Sequence, residues 1–290
     1  MNWERDLPTW PLSELSRRVQ VRPHRWHVQD AGSGPMILLL HGAGASTHSW
    51  RDVLPRLAEI HHVAAVDLPG QGFTRMGATG RNGLDTMAED LLALCEDQGW
   101  RPAALVGHSA GAALALRLSH RLRDAGGAPP RVIGFNAALE AFDGLAGWLF
   151  PLLAKFLATT PMAARLFTMG GSHETRARAL IENTGSYLDD VGIALYARLI
   201  ADRDHVDATL RMMSQWSLES LLEELQTTVA PTLFLTGDRD KAVPPRTSDR
   251  AAARMPNAEV RTWTGLGHLM HEEAPERAVN EILGFLRASE

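Results

Sequence analysis

The sequence predicts an α/β fold: an open, mostly parallel central sheet with helices on both faces and an inserted helical lid. Apolar runs alternate with segments of helical periodicity through residue 138, and this alternation resumes after residue 225. Between these parts, residues 139–225 have helical patterns and no apolar run typical of a buried strand. With 290 residues, 45% hydrophobic and 22% charged, the chain is long enough for one large domain carrying such an insertion.

The predicted strands are runs of apolar or alternating residues, most of them of the kind buried in parallel sheets. In chain order they are His24–Gly32, Met36–Gly42, His61–Asp67, Ala103–Ser109, Arg131–Ala138, Pro231–Asp240 and Ala258–His268. The core that contains the sheet is therefore predicted to comprise residues 1–138 and 226–290, beginning with an arm at 1–23, and the lid to comprise 139–225.

The predicted core helices lie between these strands, where apolar residues recur at i, i+3, i+4 and i+7. They are a helix with Trp50, Val53, Leu54 and Leu57 on its inner face, Leu84–Gln98, Ala110 to about Leu122, Pro245–Met255, and a final helix with Val279, Ile282, Leu283 and Leu286 inward. Their positions give the order strand, helix, strand expected of parallel crossovers.

Composition excludes several classes of protein. The net charge is −5, from 29 basic and 34 acidic side chains without a long block of either sign, so no nucleic-acid partner is expected. The N-terminus has no apolar segment of a signal peptide, which predicts a cytoplasmic protein. The single cysteine excludes an intramolecular disulfide and a thiol-based metal cage.

One short motif suggests a nucleophile. Gly107-His108-Ser109-Ala110-Gly111 fits the pattern G-x-S-x-G, in which small neighbours allow a sharp turn beneath an exposed serine hydroxyl. A predicted strand precedes the motif and a predicted helix follows it, as the turn requires. Because the helix begins at this serine, its N-terminus would favour negative charge developing there.

A serine hydroxyl needs a base and an orienting acid, and both are found at later strand ends. Asp238 and Asp240 follow one buried strand, and His268 follows the last strand, which gives the order Ser, Asp, His along the chain. We predict that His268 accepts the Ser109 proton while Asp240 or Asp238 holds the imidazole. A serine favours acyl transfer to water, and ester, amide, thioester and C–C bonds remain open as the scissile bond.

From Arg25 onward the sequence resembles the α/β-hydrolase superfamily in four motifs: "HGAGAS", the serine turn, "GDRD" and "GLGH". The resemblance implies that Asp240 rather than Asp238 is the acid. It also implies an oxyanion hole formed by the backbone N–H groups of Ala43 and Ala110. His41 is expected to support this loop, with substrate contact as a second role.

Further stretches resemble one branch of that superfamily, the magnesium chelatase accessory proteins of bacteriochlorophyll biosynthesis. They include "WERDLPTWP", "LLHGAGASTHSWRDV", "FNAALEAFDGLAG" and "GLGHLMHEE", and they extend into the arm and the lid. The sequence departs from the pattern at Gln71, where this turn usually carries His. The resemblance implies a role in photosynthetic pigment synthesis, with magnesium chelatase subunits as partners.

The lid is rich in large apolar side chains that suit a flat, apolar small molecule such as a tetrapyrrole. The candidates for substrate contact are Trp148, Phe150, Phe156, Met212, Met213 and Trp216. The alternative is that these residues only pack the lid helices together. The stretch Leu145–Phe167 is interrupted by Pro151 and Pro161 and is not expected to span a membrane, although it or the Trp-rich arm is a candidate for peripheral contact with the photosynthetic membrane.

Two functional hypotheses follow. The first is a serine hydrolase of the pigment pathway acting through Ser109, Asp240 and His268. The second is a non-catalytic accessory protein that binds a tetrapyrrole intermediate or the chelatase, since the same fold serves unrelated functions. His268 and His271 have a spacing found in metal sites, but no further ligands stand in register, so neither a metal nor a cofactor is predicted.

Overall fold

A computed structural model of the protein describes residues 1–140 and 172–288. Its central sheet has eight strands in the order β1-β2-β4-β3-β5-β6-β7-β8. The strands are β1 Ser16–Val21, β2 His24–Ala31, β3 Met36–Leu40, β4 His62–Val66, β5 Pro102–His108, β6 Arg131–Phe135, β7 Thr232–Gly237 and β8 Ala258–Trp263. Strands β3 to β8 pair in parallel, whereas β2 pairs antiparallel with β1 and β4. The predicted α/β fold is confirmed.

The α-helices of the described residues flank this sheet and form the lid. They are α1 Trp3–Asp6, α2 Leu54–Leu57, α3 Leu84–Asp97, α4 Ala110–Ser119, α5 His173–Asn183, α6 Asp190–Ala201, α7 Arg203–Gln215, α8 Glu219–Glu224, α9 Arg246–Ala252, α10 Met270–Glu273 and α11 Pro275–Arg287. Short 3₁₀ helices lie at Leu7–Thr9, Ser13–Leu15, Thr47–Trp50 and Leu225–Thr227.

Two local predictions differ from the structure. Strand β1 lies within the segment predicted only as an arm; its alternation is short and carries Arg17 and Arg18, which conceals the signal of an edge strand. The predicted helix from Trp50 to Leu57 is divided into a 3₁₀ turn ending at Trp50 and the four-residue α2. Pro55 stands in the first turn of α2, where its missing N–H removes no hydrogen bond.

Apolar side chains fill both faces of the sheet, as expected when helices cover a parallel sheet on both sides. All five residues of β3 are buried. On one face, Leu38 and Leu40 belong to a cluster that includes residues of α3 and α4. On the other face, Ile37 and Leu39 belong to a cluster that includes residues of α2 and α11.

The described part of 139–225 contains helices α5 to α8 and no strand. The N-terminal arm packs on this part of the chain: Trp10 is 3% exposed and shares a cluster with Leu199 of α6. Arg198 of α6 donates hydrogen bonds to the carbonyl groups of Asp6 and Thr9, at 2.8 and 3.1 Å. Within residues 1–140 and 172–288, no helix is both long and apolar enough to cross a bilayer.

Candidate active site

Ser109 lies at a sharp turn between β5 and α4. Its φ of 53° and ψ of −117° are unusual for a residue with a side chain, and such conformations cost roughly 1–3 kcal/mol. Three backbone hydrogen bonds hold the turn: the N–H of Ser109 donates to Phe135 at 2.9 Å, and its carbonyl accepts from Ala112 at 3.1 Å and Ala138 at 3.2 Å. The surrounding strands therefore impose the conformation, which is the geometry that the motif predicts.

The two glycines of the motif leave room for this turn. A Cβ on Gly107 would lie 2.2 Å from the carbonyl oxygen of Gly111, and a Cβ on Gly111 would lie 2.2 Å from that of Leu40. Both contacts are with backbone, which cannot move aside as a flexible side chain can. Helix α4 therefore crosses β3 and β5 at a distance that only glycine permits.

We expect Gly111→Ala to destabilise the protein by about 3 kcal/mol or more, because the new methyl group meets backbone atoms in a packed core. Chemical unfolding measures this loss. Gly284→Ala is the matched control, since a Cβ at this position in α11 meets nothing within 4 Å. That variant should be as stable as the wild type or up to about 1 kcal/mol more stable. Equal stabilities for the two variants would contradict the close approach at Gly111.

Asp240 and His268 meet at the carboxyl edge of the sheet. His268 Nδ1 lies 2.7 Å from Asp240 Oδ2, and both residues are largely buried. Asp240 Oδ1 accepts the N–H groups of Ala242 and Val243 at 2.7 and 2.8 Å. A carboxylate held in this way keeps the proton of a neutral imidazole on Nδ1, so Nε2 is left with a free lone pair.

Asp238, the other acid considered, lies elsewhere. It is exposed, and its Oδ1 accepts the N–H of Gly265 at 2.7 Å. The structure thus brings Asp240, and not Asp238, to His268.

The backbone of His268 is fixed beside the serine turn. Its carbonyl oxygen accepts a hydrogen bond from His108 Nε2 at 2.9 Å and from Asn136 Nδ2 at 2.8 Å. The rings of His108 and His268 pack with centroids 4.6 Å apart. These contacts place the imidazole of His268 against the ring of His108, the residue that directly precedes Ser109.

Asn136 was not identified from the sequence. It follows β6 with a φ of 45°, and its Oδ1 accepts the N–H of Gly237 at 2.9 Å while its amide group binds the His268 loop. One side chain therefore joins the ends of β6 and β7 to the loop after β8. An Asn that ends a buried strand is the only sequence signal of this role.

Burial lowers the pKa of His108 well below its ordinary value, which keeps the ring neutral. Its Nε2 donates to a carbonyl, so His108 holds backbone in place. Its Nδ1 is buried and has no hydrogen-bond partner among the described residues, so neither ring nitrogen faces solvent and His108 is a packed neighbour of the turn.

The predicted oxyanion loop lies against Ser109. A Cβ on Gly42 would lie 3.1 Å from Ser109 Cβ. The N–H groups of Ala43 and Ala110 have no acceptor among the described residues. The N–H of Ala110 belongs to the first turn of α4, where no intrahelical acceptor exists.

His41 supports this loop. Its Nδ1 donates to the carbonyl of Gly42 at 2.7 Å, and its Nε2 accepts the N–H of Leu68 at 2.9 Å. Burial lowers the pKa of His41, so the ring is neutral. Since the Gly42 carbonyl shares a peptide plane with the Ala43 N–H, the bond from His41 also helps to orient that N–H.

Asp67, which was not identified from the sequence, holds the backbone directly after this loop. Its oxygens accept hydrogen bonds from the N–H groups of Thr47 and Phe73, each at 2.7 Å, and it contacts His27 Nδ1 at 2.6 Å. Burial alone raises the pKa of Asp67, but His27 and these hydrogen bonds outweigh burial and lower the pKa to about 2. The carboxylate therefore stays charged and joins the backbone at Thr47 to the backbone at Phe73.

The lid residues predicted for substrate contact have different positions. Met212 is 1% exposed and Trp216 is 9% exposed, and both lie in the core cluster of α3 and α4, whereas Met213 is half-buried. The burial of Met212 and Trp216 fits the packing alternative, and substrate contact at these residues stays a prediction. Trp148, Phe150 and Phe156 lie outside the described residues.

A buried carboxylate next to the site joins three elements. Glu272 of α10 accepts hydrogen bonds from Ser49, from Tyr196 of α6 and from Arg51, each at 2.6 Å. Burial raises the pKa of Glu272, and the Arg51 guanidinium opposes this rise. The described residues contain no group of three or more His, Cys, Asp or Glu side chains placed to hold a metal ion.

Comparison with known proteins adds a family and several relatives. The model of the alpha/beta hydrolase family matches residues 37–282. The chain is 44% identical to the magnesium-chelatase 30 kDa subunit of Rhodobacter capsulatus over 285 residues, which cover 97% of this chain and 98% of that protein. It is 26% identical to a soluble epoxide hydrolase of Corynebacterium sp. (strain C12), covering 92% of this chain and 96% of that one.

Solved structures of hydrolases share the fold. An epoxide hydrolase superposes with a TM-score of 0.78 at 20% identity, covering 95% of this chain and 99% of its own. The meta-cleavage product hydrolase of Pseudomonas fluorescens IP01 gives a TM-score of 0.77 at 20% identity, covering 96% and 99%. At such identities the likeness shows the fold alone. With the match of the family model over most of the chain, it follows that this protein belongs to the alpha/beta hydrolase family.

Proposed function

We propose that this protein is a serine hydrolase of bacteriochlorophyll biosynthesis that acts at the magnesium chelatase step and cleaves an ester or related acyl bond. The observation that carries the chemistry is the 2.7 Å contact between His268 Nδ1 and Asp240 Oδ2, beside the turn that presents Ser109. The 44% identity to the Rhodobacter capsulatus subunit supports the place in metabolism. A tetrapyrrole is the apolar substrate that this place suggests.

In the proposed reaction, Ser109 Oγ attacks the acyl carbonyl while His268 Nε2 takes the hydroxyl proton. The N–H groups of Ala43 and Ala110 stabilise the resulting oxyanion. The His268 imidazolium then gives its proton to the departing alcohol, which leaves an acyl group on Ser109. Water, deprotonated by the same imidazole, releases the acid and restores the serine.

A fluorophosphonate probe and an aryl ester test this proposal, because both need only an activated serine. We expect the purified protein to be labelled at Ser109 and to hydrolyse the ester, and Ser109→Ala to abolish both. Ser214→Ala is the control, since Ser214 is exposed on α7 and its hydroxyl donates to the carbonyl of Arg211 in the same helix. A folded wild-type protein that is neither labelled nor active would contradict the proposal.

The second candidate function is a non-catalytic accessory protein that binds a tetrapyrrole or magnesium chelatase subunits. The near full-length likeness to a protein named as a chelatase subunit favours it. Complementation in Rhodobacter capsulatus lacking its 30 kDa subunit separates the two functions. A catalytic role predicts that Ser109→Ala fails to restore pigment at normal protein levels. A binding role predicts that Ser109→Ala restores pigment whereas Trp148→Glu or Phe156→Glu does not.

We further propose that the protein is cytoplasmic and makes peripheral contact with the photosynthetic membrane. Because Trp10 is buried against α6, we assign the contact to residues 145–167 rather than to the arm. Flotation with anionic liposomes tests this assignment, with Phe156→Glu expected to lower the bound fraction.

A further inference from the structure

Gly44, the residue that follows Ala43, is held by side chains at both its backbone N–H and its carbonyl group. The N–H of Gly44 donates to Gln71 Oε1 at 2.8 Å, and the carbonyl of Gly44 accepts a hydrogen bond from His205 Nε2 at 3.2 Å. Gly44 has a φ of +80°, a conformation that side chains disfavour. Only the two backbone torsions of Ala43 separate its N–H from that of Gly44, so fixing Gly44 restricts the direction of the Ala43 N–H.

His205 belongs to the lid, in the first turn of α7, and is 2% exposed. Its Nδ1 accepts the N–H of Gly72 at 3.0 Å, so the ring proton must be on Nε2, which faces the Gly44 carbonyl. Burial lowers the pKa of His205 to about 4. The neutral ring therefore has one defined tautomer, and each nitrogen has a separate backbone partner.

Gln71 acts from the opposite side and is fully buried. While its Oε1 accepts the Gly44 N–H, its Nε2 donates to the sulfur of Met212 at 3.3 Å. Gln71 therefore uses both the acceptor and the donor of its amide group, at the turn where related sequences usually carry His.

One face of α7 lies directly on these loops. His205, Ala208, Thr209 and Met212 recur at i, i+3, i+4 and i+7 on this face. A Cβ on Gly70 would lie 2.5 Å from Ala208 Cβ, and a Cβ on Gly44 would lie 3.5 Å from Thr209 Cγ2. The lid helix and the oxyanion loop are thus in direct contact, with His205 and Gln71 as the polar links.

We propose that Gln71 and His205 are positioning residues that clamp the backbone of Gly44 from both sides, orient the Ala43 N–H toward the oxyanion and make catalysis depend on the position of lid helix α7. This inference rests on the proposed hydrolase function. Transition-state stabilisation should suffer more than substrate binding when the clamp is lost, because the oxyanion forms only during the reaction. The expected signature is a lower kcat at an almost unchanged KM.

Two substitutions at His205 distinguish its hydrogen bond with the Gly72 N–H from its hydrogen bond with the Gly44 carbonyl. In His205→Asn the side-chain oxygen replaces Nδ1 and can accept the Gly72 N–H, but no donor reaches the Gly44 carbonyl. In His205→Gln the amide nitrogen replaces Nε2 and keeps that donor. We expect His205→Asn to lower kcat for aryl ester hydrolysis about ten- to a hundredfold, below the roughly hundred- to thousandfold loss of a complete oxyanion donor. His205→Gln should stay within about threefold of the wild type.

Gln71→Leu provides a second, independent variant. The substitution removes the acceptor of the Gly44 N–H and should lower kcat in the same way. A thermal unfolding midpoint shows that each variant is folded. Wild-type kcat in both His205→Asn and Gln71→Leu would overturn the inference. So would a loss in His205→Gln as large as that in His205→Asn, because the Gly44 contact would then have no special role.

Amide hydrogen exchange tests the clamp without any turnover. We expect exchange at the Gly44 amide to be at least tenfold faster in Gln71→Leu and faster in His205→Asn, with the β3 amides unchanged. Unchanged exchange at Gly44 would overturn the clamp itself. If the wild-type protein is neither active nor labelled at Ser109 while Gly44 exchange depends on Gln71 and His205, the clamp exists but its catalytic role is overturned together with the proposed function.

Discussion

Replacing Asp240 by Asn is expected to lower kcat for ester hydrolysis by about 10⁴-fold while leaving the protein folded. The Asn carbonyl oxygen can keep the two hydrogen bonds that Asp240 Oδ1 accepts from the N–H groups of Ala242 and Val243. Its NH₂ group then faces His268 Nδ1, where the carboxylate stood at 2.7 Å. Since an amide nitrogen donates, Nδ1 must become the acceptor and the ring proton must move to Nε2.

An imidazole with its proton on Nε2 cannot accept the proton of Ser109, and this is why the loss should be large. The rate of fluorophosphonate labelling should fall in parallel with kcat, whereas KM should change little. Labelling and steady-state hydrolysis, each measured on the same preparation, provide the two readouts.

Asp238→Asn is the matched control, because it makes the same chemical change two positions away. Asp238 is exposed, and its side chain accepts the N–H of Gly265 in the loop before His268. We expect the control to retain kcat within about threefold, and its unfolding free energy to change by less than about 0.5 kcal/mol. A large loss in Asp238→Asn with normal activity in Asp240→Asn would show that the acid has been misassigned.

The sequence was sufficient for those parts of the site that follow from strand order. The apolar runs of β3, β5 and β7 are continuous because both faces of the sheet are covered, so their ends could be placed by inspection. Parallel strands end at the same edge, which predicted that the serine turn, Asp240 and His268 converge. The acid could not be chosen from spacing alone: both Asp238 and Asp240 follow β7, and the turn after the strand decides which one faces His268.

Contacts between distant residues that do not follow from strand order could not be predicted. Gln71 and Gly44 are 27 residues apart, and His205 and Gly44 are 161 apart; neither pair has a periodic signature. The bond from Asn136 to the His268 loop spans 132 residues. Such pairs depend on how the loops and lid pack after the sheet has formed, whereas hydrophobic periodicity reports only which face of an element is buried.

The buried ion pair between Arg51 and Glu272 is one of these unpredicted contacts, and removing one partner should be costly. The Glu272 side chain is inaccessible to solvent and that of Arg51 is 12% exposed, and Arg51 Nη1 lies 2.6 Å from Glu272 Oε2. Arg51→Leu leaves the carboxylate buried without its cation. We expect a loss of about 3–5 kcal/mol in the free energy of unfolding. Ser49 and Tyr196 still donate to Glu272, but neutral donors do not compensate a missing charge.

The loss should grow with pH, and its sign follows from the protons bound. Burial raises the folded-state pKa of Glu272 above its ordinary value of 4.5, and removing the Arg51 charge raises it further. As pH rises above 4.5, the unfolded chain releases this proton while the folded variant still holds it. Unfolding then becomes more favourable with rising pH until the folded group also ionises. Urea unfolding at pH 5 and pH 8 should therefore show a larger deficit at pH 8.

The double variant Arg51→Leu/Glu272→Gln distinguishes an unpaired charge from lost packing. A neutral amide keeps the shape of Glu272 and accepts hydrogen bonds from Ser49 and Tyr196, so most of the lost stability should return. The pH dependence of the stability deficit should disappear, because residue 272 no longer titrates. Arg178→Leu is the control, because its ion pair with Asp190 is exposed and should contribute less than about 1 kcal/mol. If the double variant is no more stable than Arg51→Leu, the aliphatic part of Arg51, rather than its charge, holds α6, α10 and the oxyanion side of the site together.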